Sequence, residues 1–109
     1  MFWEKTGAIG EVEQLAAGYR RTGHLAQAKS LYTCLIAMIK QKSGESDELA
    51  LHFYQLGEIY DEEGNRSAAN TYYKRAAATW RHLHPENGGK SPFWYREALN
   101  RLGPEELNI

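Results

Sequence analysis

The chain has 109 residues, 42% hydrophobic and 25% charged, the balance of one soluble globular domain rather than a disordered tail. A formal net charge of −1 gives no overall attraction to phosphate backbones or anionic lipid, so nucleic acid is disfavoured as a partner. Met1 to Ile9 lack the basic-then-apolar pattern of an export signal, and no stretch approaches about 18 apolar residues, so secretion and membrane spanning are disfavoured and a cytoplasmic location is expected.

A first helix is predicted from about Gly10 to Thr22, with Val12, Leu15, Ala16 and Tyr19 on its apolar stripe. Gly23 ends it, since glycine takes the left-handed conformation that closes a helix without a Cβ clash. The second helix runs from near Leu25 to about Lys42 and carries Ala28, Leu31, Tyr32, Leu35, Ile36 and Ile39. Cys34, the single cysteine, is expected to pack there as a small hydrophobe, which agrees with a reducing compartment. After a break at residues 43–46, Ser46 caps a third helix with Asp47 and Glu48 in its first turn. That helix reaches Glu63 with Phe53, Leu56, Gly57 and Tyr60 inside, and Gly64 closes it as Gly23 closed the first.

Asn65 or Ser67 begins a fourth helix, which turns Ala69, Tyr72, Tyr73, Ala76, Ala77 and Trp80 inward and fades by His84. Pro85 to Lys90 reads as a loop. Ser91-Pro92 restarts the chain, with Ser91 as cap and Pro92 at the first helical position. The fifth helix, about 92–102, presents Trp94, Tyr95, Ala98, Leu99 and Leu102 on one face and stops at Gly103-Pro104. Phe93 is the apolar residue left off that face. The polar back formed by Arg96, Glu97 and Asn100 suits the last element of a repeat array, so the array reads as complete.

Two stretches repeat with an offset of 41 residues: Leu15, Tyr19, Gly23, Ala28 and Tyr32 recur as Leu56, Tyr60, Gly64, Ala69 and Tyr73. These spacings keep the shared positions on one face of a helix, interrupt it at a glycine and resume on a second helix. The unit is a helical hairpin of about residues 10–42, copied at about 47–84 and followed by a capping helix. Such hairpins must stack to bury their apolar faces, and stacked hairpins form a surface suited to holding another protein.

The run Phe53-Tyr54-Gln55-Leu56-Gly57-Glu58-Ile59-Tyr60, with Ala69 and Tyr73, resembles the tetratricopeptide repeat pattern W-x₂-L-G-x₂-Y…A-x₃-F, Phe53 standing for the tryptophan. Val12, Leu15, Ala16, Tyr19, Ala28 and Tyr32 form the other copy, while Trp94 and Ala98 match only the start of a third, from which Glu97 and Arg101 depart. The period exceeds the family's usual 34 residues by about two helical turns, and His84-Pro85 and the long second helices are similar to the kinesin-light-chain type. The resemblance implies an all-α, right-handed solenoid of five helices, with peptides bound in a concave groove lined by the first, third and fifth. Matching places the groove at Glu13, Gln14, Ala17, Arg20 and Arg21, then Leu51, Tyr54, Gln55, Glu58, Asp61 and Glu62, then Tyr95, Arg96 and Leu99. The groove residues implied to be most exposed to a ligand are Gln14, Arg20, Arg21, Tyr54, Gln55, Glu58, Asp61, Glu62, Tyr95 and Arg96.

Tyr54 and Tyr95 serve either as ligand anchors or as packing between helices, and Gln55 can hold a peptide backbone. Residues 43–65 contain seven acids and no Lys or Arg, with Asp61, Glu62 and Glu63 crowding a helix C-terminus where the dipole disfavours anions. A cationic ligand segment or arginines from adjacent helices would compensate. A carboxylate clamp of the kind found in some tetratricopeptide domains is disfavoured, because only Arg96 matches it and Glu13 repels an anion.

No catalytic machinery is legible, so the protein is read as non-enzymatic and without cofactor. Gly89-Lys90-Ser91 looks like the end of a phosphate-binding loop but has His84 where that motif needs glycine. His82 and His84 point about 200° apart on a helix, unlike a metal-gripping pair. The expectation is an interaction module for a peptide segment of a partner protein. Self-association as a homodimer is the alternative, prompted by Phe93. Nucleic-acid binding through Lys74, Arg75, Arg81, Lys90 and Arg96 is the weakest.

Overall fold

The computed structural model describes residues 8–86 and 90–106; the readings made on residues 1–7, on loop residues 87–89 and on the Gly89 of the phosphate-loop likeness lie outside them. The fold is all-α, with α1 (Ala8–Arg21), α2 (Leu25–Ser43), α3 (Asp47–Glu62), α4 (Arg66–Leu83) and α5 (Phe93–Glu106). Each helix packs on the next along the chain, and α3 also touches α5. The principal extents are 42 × 32 × 19 Å. No helix among the described residues is long and apolar enough to cross a membrane.

Both hairpins turn by the same backbone device. The Gly23 and Gly64 backbones are left-handed, at φ +83° and +84°. At the first turn the His24 N–H reaches the Tyr19 carbonyl at 2.9 Å and the Gly23 N–H reaches Arg20 at 3.1 Å. At the second the Asn65 N–H reaches Tyr60 at 2.9 Å and the Gly64 N–H reaches Asp61 at 2.9 Å. This pairing satisfies carbonyls that a helix end otherwise leaves open. The repeated residues therefore specify a repeated turn.

Ser46 caps α3 by accepting the Leu49 N–H at 3.1 Å, and Asn65, rather than Ser67, caps α4 by accepting Ala68 at 3.2 Å. At α5 the Pro92 carbonyl accepts the Tyr95 and Arg96 N–H groups at 3.1 and 3.4 Å, so Pro92 is the cap and Ser91 lies one residue outside. The expected stop at Gly103-Pro104 is also displaced, since α5 runs on to Glu106. A proline so near a helix end removes one bond only, and the carbonyl that loses it belongs to Asn100, an exposed residue.

The core is centred on α3, whose Leu49, Ala50, His52, Phe53, Tyr54, Leu56, Gly57 and Ile59 are buried. Ala16, Ala28, Tyr32, Leu35, Ile39, Ala69, Tyr73, Ala76, Ala98 and Leu102 close around it. Small residues set the α3–α4 approach: a Cβ on Gly57 would lie 2.8 Å from the ring of Tyr73.

Two expected core positions are exposed. Leu15 is 53% exposed although its repeat counterpart Leu56 is fully buried. Leu56 lies on the stripe of α3 that carries His52 and Glu63 toward Tyr32 and Lys29 of α2. The same stripe of α1, Glu11, Leu15 and Gly18, has no preceding helix against it among the described residues. Cys34 is exposed too, its Sγ 3.9 Å from the sulfur of Met38. The run from Leu31 to Ile39 is apolar on more sides than α2 buries, and only Tyr32, Leu35 and Ile39 of it go fully inside.

Candidate functional site

Because α3 is covered on most of its circumference, its remaining open positions stand out: Glu48, Leu51, Gln55, Glu58 and Glu62 are half-buried or exposed. Their spacing of three and four residues makes them one continuous stripe along the helix. Side chains from α1 and from α5 reach this stripe from its two sides.

Glu58 is where they meet. Its Oε1 lies 3.2 Å from Nη1 of Arg20 on α1, and its Oε2 lies 3.2 Å from Nη1 of Arg101 on α5. Arg20 also donates from Nη2 to Glu62 at 2.7 Å. The Arg101 Nη1 donates to the Tyr73 hydroxyl oxygen at 2.9 Å, and that hydroxyl donates to Asp61 at 2.7 Å. Arg66 in turn holds both Asp61 oxygens, at 2.9 and 3.0 Å, and the Tyr54 hydroxyl donates to Glu58 at 2.8 Å. One polar network thus ties α1, α3, α4 and α5.

This network explains the crowded acids at the end of α3. Asp61 pairs with Arg66, Glu62 with Arg20, and Glu63 with Lys29 at 2.7 Å, so each carboxylate has a cation from another part of the chain. Burial lowers the proton affinity of Arg20, but Glu62 and Glu58 outweigh it and hold the guanidinium above its usual range. Arg101 is raised in the same way, with Tyr73, Tyr54 and Glu58 overcoming desolvation. Tyr73 is pushed up to about 12, first by burial and then by its bond to Asp61, against the pull of Arg101. Burial and Glu58 raise Tyr54 as well.

A second tie joins α1 to α3 further along. The His52 Nε2 is 3.0 Å from Glu13 Oε2, its Nδ1 is 2.8 Å from the Glu48 carbonyl, and its ring, 3% exposed, sits beside Tyr32. Leu51 and Gln55, both half-buried on the stripe, enter none of these bonds, and Leu51 packs against the core.

The residues read from sequence divide. Arg20, Glu58, Asp61 and Glu62 are brought together in the network, and Gln55 lies half-buried on the same stripe. Gln14 and Arg21 are exposed on α1. Tyr54 is only 6% exposed, its ring against Tyr73 and Trp94, so it belongs to the packing between helices and offers no free face to a ligand. Tyr95 packs half-buried on Trp80 and Trp94. Arg96 is exposed and lies about 140° around α5 from Arg101, the residue that faces α3.

Arg101 and Glu97, 3.4 Å apart, are the α5 residues beside the stripe, and the repeat pattern pointed instead to Arg96 and Leu99. The available signal was their departure from the repeat consensus. The buried face of α5 departs from the repeat in one place: Phe93 is 69% exposed whereas its counterpart His52 is buried. His52 itself carried no legible pairing, because Glu13 lies on another helix.

Among the described residues no group of His, Cys, Asp and Glu converges as a metal site. No protein-family model, curated protein or solved structure matches this chain.

Proposed function

We propose that the protein is a non-catalytic interaction module of the tetratricopeptide kind, which binds a peptide segment of a partner protein in a groove along the α3 stripe. The observation that carries this reading is that α3, the most enclosed helix, keeps one continuous open stripe flanked by α1 and α5. There Gln55 lies half-buried outside the ion pairs and hydrogen bonds, and Leu51 packs on the core with part of its side chain open, beside two ties that fix the helices around them. An amide side chain beside an apolar one suits an extended backbone, since Gln both donates and accepts. The duplicated glycine turns and the 41-residue offset support the repeat class. Carboxylates of Glu13, Glu58, Asp61, Glu62 and Glu97 outnumber Arg20, Arg66 and Arg101 around the stripe, which favours a ligand with cationic side chains. The single exposed Cys34 suits a reducing compartment such as the cytoplasm.

Selection of short peptides from a random library tests the proposal. Enriched sequences are expected to be basic and to lose affinity for a Leu51→Asp, Gln55→Ala variant. Peptides that bind this variant as tightly as the wild type contradict it. Exposure of Phe93 and Leu15 favours a second reading, self-association, for which light scattering over a concentration series is decisive.

A further inference from the structure

On the side of α3 away from the stripe, aromatic rings and cations alternate across α2, α3 and α4. Phe53 and Tyr60 lie about 140–160° around α3 from Gln55 and Glu58. The Lys29 ammonium sits 5.0 Å over the Tyr60 ring, and Tyr60 stacks on Tyr72 at 5.5 Å and 4°. The Arg75 guanidinium lies 5.4 Å over Tyr72 and 6.0 Å over Phe53. Lys29 has its own carboxylate, Glu63. Arg75 is exposed and, among the described residues, no carboxylate lies within ion-pair distance of it. The hydroxyls of Tyr60 and Tyr72 likewise have no hydrogen-bond partner among the described residues, whereas those of Tyr54 and Tyr73 do.

We infer that this ridge is a second interaction surface, separate from the groove, which takes an acidic and apolar peptide segment with a carboxylate on Arg75. The chemistry follows from which groups remain open. A guanidinium stacked on rings keeps its N–H edge outward and is already oriented, so a carboxylate meets two parallel donors with little side-chain entropy left to lose. The Arg75 guanidinium is donor-only, and the Tyr60 and Tyr72 hydroxyls can donate beside it, so an acceptor-rich anion is selected. Nucleobase stacking is disfavoured, because ring faces here are covered by Lys29, by Arg75 or by one another, and a base needs a free face. Apolar side chains of the segment lie along the edge of Tyr72, which is half-buried.

Amide-resolved NMR titration with a short peptide of alternating Glu and Leu tests this, beside the same peptide with Gln for Glu and a single-stranded oligonucleotide. Saturable shifts are expected at Phe53, Tyr60, Tyr72 and Arg75, with Leu51 and Gln55 unmoved, which keeps the result independent of the groove. Arg75→Gln, a surface change checked for unaltered helicity, weakens binding roughly tenfold, and Arg75→Lys falls between because an ammonium lacks the planar fork. Equal binding of the Gln peptide, tighter binding of the oligonucleotide, shifts confined to the α3 stripe, or unchanged affinity of Arg75→Gln each overturn the inference.

Discussion

At the scale of single residues, the closest approach in the fold is Gly57 against Tyr73. An added Cβ would meet Tyr73 carbons at 2.8 Å and the Ala69 carbonyl oxygen at 3.3 Å. The ring cannot swing aside, since Tyr73 is fully buried and its hydroxyl is held by Asp61 and Arg101. Overpacking of this kind costs about 1–3 kcal/mol, while replacing glycine by alanine inside a helix returns up to about 1 kcal/mol. Gly57→Ala is therefore expected to lower unfolding stability by roughly 1–2 kcal/mol, measured by urea denaturation. Tyr73 also sets an alkaline limit. Its folded pKa of about 12 lies above the usual value near 10, so the folded state holds the proton longer than the unfolded state. The associated stability is complete below about pH 10 and is lost as pH rises toward 12. Tyr54 and Tyr32 are raised by burial in the same direction. Ultraviolet titration should show these tyrosines ionising above the usual tyrosine value near 10, together with loss of helix. Gly57 was legible in the sequence as a small residue on a core stripe. Tyr54 was not assignable, because an aromatic at helical spacing serves packing and binding equally well until its neighbours are known.

At the scale of helices, ends and ties carry separate shares of the stability. Ser46 satisfies one open N–H of α3, and Ser46→Ala is expected to cost about 1 kcal/mol in denaturant unfolding without moving the stripe residues. Arg101 fastens α5 to both α3 and α4, through Glu58 and Tyr73. Arg101→Met should cost roughly 1–3 kcal/mol, since Tyr73 and Glu58 lose a charged donor in a half-buried setting. Hydrogen exchange should then show α5 amides opening faster while α3 keeps its protection. The exposed ion pair of Arg66 and Asp61 should contribute much less. Four of the five helices were legible to within two residues, because glycine turns and side-chain caps are local signals. The end of α5 was not: Gly103-Pro104 reads as a stop, but whether a proline ends a helix depends on what replaces one bond. Which α5 side chains reach α3 is also set by contacts between helices, so Arg101 could not be told from Arg96 by periodicity alone.

At the scale of the whole molecule, two hairpins and a closing helix enclose α3 and leave an open stripe along it. Acids gather about that stripe, and a cationic aromatic ridge lies on the other side of the same helix. The repeat offset made the stacking of hairpins legible. Which faces stay open was less so, since Leu15 and Leu56 are identical in the pattern and differ in whether a helix lies against them. We propose the α3 stripe as the binding face. Its most direct test is amide shift mapping with a basic peptide enriched from a library. The account predicts saturable shifts at Gln14, Leu51, Gln55 and Glu58, weakening with salt as surface charges are screened. Shifts confined to α2 and α4, with Leu51 and Gln55 unmoved at saturation, would contradict it.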